Sequence, residues 1–206
     1  MSFLPIGASV GWLAVLTGVV GTYVQRRRVT TNGAAGVSLA TWTLFAFMGC
    51  FWITYGVVAH SAQVVAGSVL CLPIQLSIVV RLRPGVRWGV VARAFALFFA
   101  CCVVPTAMLG WSGGVYGTGV AMTINRLPQL IELVRNADAG GVAAGTWYLA
   151  VFGSMCWVLY YAGAHLWAPL IATAVAGVAS LAIALLATWR HARPVPQWTL
   201  DEVYAV

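Results

Sequence analysis

The chain repeats itself. Displaced by 105 positions, residues 36–60 fall on residues 141–165 with ten identities in 25 positions: Gly36/Gly141, Val37/Val142, Thr41/Thr146, Trp42/Trp147, Leu44/Leu149, Phe47/Phe152, Trp52/Trp157, Tyr55/Tyr160, Ala59/Ala164 and His60/His165. Shared apolar composition accounts for the leucine and alanine matches, but not for two tryptophans, a tyrosine and a closing histidine in register. An internal duplication explains them better. Upstream the displacement drops to 104, which sets Gln25 on Gln129. Whatever unit the first copy forms, the second must form again.

The unit belongs in a bilayer. Only 7% of the 206 residues are charged and 62% are hydrophobic, with a mean hydropathy of +0.92, whereas soluble domains carry about 25% charged residues. A spanning helix takes about 20 residues, and seven apolar stretches of that order can be read: 6–24, 37–59, 64–80, 89–109, 115–134, 142–163 and 167–189. Gln25-Arg26-Arg27-Arg28 stops the first, Arg81-Leu82-Arg83-Pro84-Gly85 stops the third, and Trp111-Ser112-Gly113-Gly114 reads as a turn. The expected fold is an all-α membrane protein of seven transmembrane helices, two three-helix repeats joined by a connector. Residues 1–88 form the first repeat, 89–111 the connector, 112–193 the second repeat and 194–206 a tail. Three helices end on the side opposite their start, so a single connector makes the repeats parallel, related by an axis along the membrane normal.

Eleven basic against four acidic residues give a net charge of +7. Arg26, Arg27, Arg28, Arg81, Arg83, Arg87, Arg93, Arg135, Arg190 and Arg193 all fall on one side of the expected topology. That bias predicts an outside N-terminus and a cytoplasmic C-terminus. The charge is thus spent on orientation, and the partner it implies is the lipid bilayer, not nucleic acid. The arginine-only, Ala/Val/Gly-rich composition points to a GC-rich bacterial genome and hence the plasma membrane.

Asn125-Arg126-Leu127-Pro128-Gln129-Leu130-Ile131, followed by a short polar loop and Gly141-Val142, resembles the PQ-loop motif. Trp52-Ile53-Thr54-Tyr55-Gly56 is similar to the W-x-x-Y-G of the SWEET and SemiSWEET sugar transporters. The resemblance, in its bacterial seven-helix form, covers nearly the whole chain. It implies alternating access around a pocket between the two bundles near the bilayer midplane. Trp52 and Trp157 match the family's sugar-flanking tryptophans. The paired pocket asparagines of that family are absent: Gly67 falls near one position, Ala172 or Thr173 near the other. Gln75, Ser68, Thr54, Tyr55 and Tyr160 are the polar groups left to line a pocket. The arginine before Pro128 is closer to the amino-acid-exporting branch of the group.

Pro128 lacks an N–H and should free a carbonyl near the end of the fifth helix, permitting a hinge. Gln129 is placed to cap that carbonyl or bond a neighbouring helix. The first copy has Val24-Gln25 where the motif has Pro-Gln, so one hinge is missing and gating is expected to be asymmetric. Asn125 and Arg126 are costly inside a spanning segment, with arginine at about 2.5–3.5 kcal/mol at a helix centre. They read either as gate and anion contacts or as structural groups.

The remaining chemistry is sparse. There is no lysine, which excludes a retinal Schiff base, and the carboxylates Glu132, Asp138, Asp201 and Glu202 form no acid–base constellation. Five cysteines at 50, 71, 101, 102 and 156 show no C-x-x-C spacing, and His60 and His165 have no further ligands at metal spacing. No enzyme, metal or cofactor is expected. The reading is a transporter of a small polar solute, of the sugar or amino-acid class and facilitated for want of an intramembrane acid. The alternative is a non-transporting receptor or scaffold on the same fold; self-association is compatible with either.

Overall fold

A computed structural model describes residues 4–82, 88–135, 138–163 and 167–193. The described residues are all helical apart from short connections: α1 (Leu4–Asn32), α2 (Leu39–Val58), α3 (Ala62–Arg81), α4 (Trp88–Phe98), a π-helical turn (Phe99–Val103), α5 (Val104–Ile124), α6 (Arg126–Arg135), α7 (Ala144–Gly163) and α8 (Trp167–Ala192). Four helical stretches among the described residues are long and apolar enough to cross a membrane: Leu39–Val58, Ala62–Arg81, Trp88–Arg135 and Leu170–Ala192. α1 and α7 pack against each other.

The surface has the polarity of a lipid-facing protein. Val178 is 69% and Leu185 54% exposed, while Thr41, Thr118, Asn125 and Ser180 are completely buried. Water would reward the opposite arrangement, since burying polar groups costs free energy unless they are paired. Hydrocarbon permits it.

Several boundaries differ from expectation. α1 does not stop at the arginines but runs through Gln25 and Arg26–Arg28 to Asn32. No Pro or Gly interrupts it there, and it ends only where Gly33 adopts φ +81°. The turn expected at Trp111–Gly114 is helical. The interruption lies at Gly110, whose φ of 68° and ψ of −166° fall in a region reserved for glycine. A single straight helix over the 48 residues Trp88–Arg135 would be about 70 Å long, twice the hydrocarbon thickness. At Gly110 the chain folds back: a Cβ on Gly113 would meet the Pro105 carbonyl, one on Gly114 the Thr106 hydroxyl, and one on Gly117 the Cys101 carbonyl. Pro105 has no N–H to give that Cys101 carbonyl, and the π-helical turn beside it, closed by the Val104 N–H on the Phe99 carbonyl, absorbs the mismatch.

The fifth apolar stretch carries an interruption at Asn125: α5 ends at Ile124 and α6 begins at Arg126, while Asn125 itself keeps αR dihedrals (φ −52°, ψ −29°). Pro128 stands in the first turn of α6 and, with no N–H, leaves the Ile124 carbonyl without its helical partner.

α1 packs on α3 and α7, α2 on α3 and α4, and α8 on α5, α6 and α7. Two apolar cores result. One gathers Val29, Val37, Trp42, Ile78, Leu133, Val142, Trp147 and Ile183 at the arginine-rich end; the other gathers Leu44, Met48, Phe51, Ala94, Cys102 and Ala121 towards α4. Ser38 and Ser61 cap α2 and α3, accepting from the Thr41 and Val64 N–H groups.

Candidate functional site

The loops before α2 and α7 meet at the arginine-rich end. Gly141 donates its N–H to the Ala35 carbonyl at 3.0 Å. A Cβ on Gly141 would strike the Gly33 carbonyl, and one on Gly36 would lie 2.9 Å from the Asp138 carbonyl. Glycine at both positions is what lets the two backbones touch.

Two glutamines fasten this crossing. Gln25 Nε2 donates to the Gly141 carbonyl at 2.8 Å, and its Oε1 accepts from the Ala143 N–H at 2.9 Å. Gln129 Nε2 donates to the Gly36 carbonyl at 2.7 Å, and its Oε1 accepts from the Ser38 N–H at 2.9 Å. Both side chains are 1% exposed. One turn away, the Thr41 hydroxyl donates to the Asn125 carbonyl at 2.9 Å and the Thr146 hydroxyl to the Gly21 carbonyl at 2.7 Å. Every donor and acceptor in one set has its counterpart 104 or 105 positions along the chain. Gln129 therefore caps nothing in its own helix: it bonds the opposite copy's loop. Val24 in place of proline leaves the matching bonds of Gln25 intact.

Away from this closure a chain of three neighbouring cavities runs between the helices. The middle one, about 220 Å³, brings together Trp52, Trp157, Gly67, Gln75 and Thr173, with Ser68 also on its wall. Of the two alternatives on α8, Thr173 faces the cavity, whereas Ala172 lies against Gly119. The outer cavity, about 430 Å³, shares Trp52 and Trp157 and adds Tyr55, Tyr160, Trp111 and Tyr116, reaching the helix end at Ala59 and Ser61. The inner cavity, about 240 Å³, shares Gln75, Thr173 and Trp157 and adds Trp42, Trp147 and Arg126.

The aromatic pairs obey the repeat as the glutamines do. Trp52 meets Tyr55 edge-on at 5.6 Å and 80°, and Trp157 meets Tyr160 at 5.6 Å and 83°. Tyr161, without an equivalent in the first copy, stacks on Trp157 at 5.7 Å and lines both the middle and outer cavities.

Arg126 is 5% exposed. Its Nε donates to Ser180 Oγ at 2.7 Å, its Nη1 to the Met122 carbonyl, and its guanidinium lies 5.9 Å from the centre of the Phe45 ring. Asn125 is fully buried, and neither polar atom of its side chain has a protein partner. Thr54, by contrast, is exposed and bonds the Cys50 carbonyl of its own helix.

Trp42 and Trp147 were not singled out as site residues from sequence, although their identity in the repeat alignment is the signal that finds them. Arg126 and Ser180 come from different stretches, and no spacing rule joins them. Among the described residues no group of three His, Cys, Asp or Glu side chains could hold a metal ion; His165 lies outside the described residues, while His60 borders the helix end with φ 50°. No family model matches this chain, and neither a curated protein nor a solved structure matches it.

Proposed function

We propose that the chain is a PQ-loop-type, SWEET-like membrane transporter that moves a small polar solute by alternating access. In this reading residues 1–88 and 112–193 are two parallel three-helix bundles, residues 89–111 are the connector, and the fold-back at Gly110 makes seven crossings of the helical segments. The N-terminus is outside, the C-terminus cytoplasmic, and the membrane is the plasma membrane.

The observation that carries the reading is a cavity walled by equivalent residues of both copies, Trp52 and Trp157, lying on the far side of a crossing fastened by reciprocal glutamine hydrogen bonds above an apolar core. Each net bond contributes about 0.5–1.5 kcal/mol, so the four glutamine bonds amount to a few kcal/mol, a size that binding of a solute can offset. The aromatic walls suit enclosure of a small solute, and the Thr, Ser and Gln groups supply a few polar contacts. With no acid on the described walls, transport is facilitated, not proton-driven.

Uptake of labelled sugars, amino acids and small organic acids into proteoliposomes tests this. Saturable uptake of at least one solute, lowered on the order of tenfold in a Trp52→Ala/Trp157→Ala protein and insensitive to a protonophore, is the expected result. Binding without flux across the whole panel would instead support a receptor or scaffold on the same fold.

A further inference from the structure

The inner cavity departs from the twofold pattern in charge at one pair of positions. Thr22 and Arg126 are equivalent, 104 residues apart, and each sends a side-chain donor to the carbonyl four residues earlier: Thr22 to Gly18 at 2.8 Å and Arg126 to Met122. The frame is shared. The second copy has replaced a hydroxyl with a guanidinium.

That guanidinium has donors to spare. Of its five N–H groups, one bonds Ser180 and one Met122, and the side chain lines the inner cavity. Among the described residues on the walls of all three cavities it is the only charged side chain. Trp42 and Trp147 line the same cavity at equivalent positions, each 2% exposed, and both indole N–H groups lack a protein partner. Gln75 Oε1, on the same wall, is buried and also unpartnered.

Buried N–H donors without acceptors and a buried cation without a counter-charge are costly, and Arg126, Trp42, Trp147 and Gln75 all line this one cavity. A neutral solute would leave the charge uncompensated, and a cationic one would be repelled. We infer that the inner cavity is a carboxylate site: Arg126 supplies the charge and charge-assisted hydrogen bonds, the Trp42 and Trp147 N–H groups supply neutral donors, and Gln75 accepts from a hydroxyl or ammonium group on the body of the solute. The proposed substrate class is a small organic acid. The inference rests on the transporter reading for its physiological meaning, but the binding site does not require that reading.

The test uses the full chain in nanodiscs, with thermal unfolding and tryptophan fluorescence as readouts. The probes are propionate, lactate and succinate, each against a neutral counterpart: propionamide, glycerol and succinamide. At least one carboxylate should raise the melting temperature while its counterpart does not, and Arg126→Gln should weaken that carboxylate by roughly 10- to 100-fold, as loss of a charge-assisted pair implies. Arg126→Lys should keep part of the affinity, and Trp42→Phe/Trp147→Phe should lose part of it with the fold retained. If Arg126→Gln does not fold, the lysine and double phenylalanine variants carry the comparison. Equal response to amide and acid, no response to any acid, or unchanged affinity in the variants overturns the site. Carboxylate binding without flux refutes transport and leaves the site standing; flux of neutral solutes alone refutes the site and leaves transport standing.

Discussion

Gln25 and Gln129 hold each other's halves: each reaches across to the glycine that opens the other copy's next helix, at 2.8 Å and 2.7 Å. Because each amide uses both its donor and its acceptor, truncation leaves two buried main-chain groups unpaired on the opposite loop. Gln25→Ala and Gln129→Ala should therefore loosen the same end by similar amounts, about 1–3 kcal/mol each. Hydrogen exchange should show faster exchange in residues 33–38 and 138–143 in either variant, and unchanged exchange in both would refute the closure.

The proline difference between copies predicts unequal substitution effects. α1 is an unbroken helix at Val24, so Val24→Pro removes the hydrogen bond to Val20 and clashes with its carbonyl, costing about 3 kcal/mol. Pro128 is already in the first turn of α6, and Pro128→Ala should shift the unfolding midpoint little. Comparable losses in the two variants would contradict the break at Asn125.

Gly117 presses on the Cys101 carbonyl. Gly117→Ala should push the two arms of the fold-back apart, lowering the thermal midpoint by several degrees, while Gly89→Ala, which meets nothing within 4 Å, should not. An unaffected midpoint for Gly117→Ala would place the two arms elsewhere.

The orphaned amide of Asn125 disfavours the closed arrangement by roughly 1–3 kcal/mol. Asn125→Ala is expected to raise the thermal midpoint and, under the transporter reading, to slow uptake by over-stabilising closure. A lowered midpoint would mean that the amide is satisfied.

Much of this was legible in the residues. The repeat alignment paired Gln25 with Gln129 and Trp52 with Trp157, and the coordinates give these pairs matching contacts, because a duplicated sequence folds its equivalents alike. Side-chain partners were not legible. Gln129 offered one amide to many carbonyls, and only the crossing of two loops through Gly36 and Gly141 decides that it serves the opposite copy. The first helix outruns its expected end because charge at Arg26–Arg28 reads as a stop, although arginine is compatible with a continuing helix. The reversal at Gly110 was hidden among Gly113 and Gly114, whose lack of a side chain serves packing instead of turning. Arg126 looked like a choice between gate and scaffold. Its bonds to Ser180 and Met122, together with its place on the cavity wall, allow it to be both.

The crossed glutamines also bear on how such a molecule could have arisen. A chain half as long could fasten its own glutamine only by meeting a second chain side by side, at a rate set by how often two copies collide. Tethering the halves makes that encounter intramolecular, with an effective concentration fixed by the linker and not by expression level. It also frees each half to diverge, and the exchange of Thr22 for Arg126 is the kind of asymmetry that an assembly of identical chains could not adopt on one side alone.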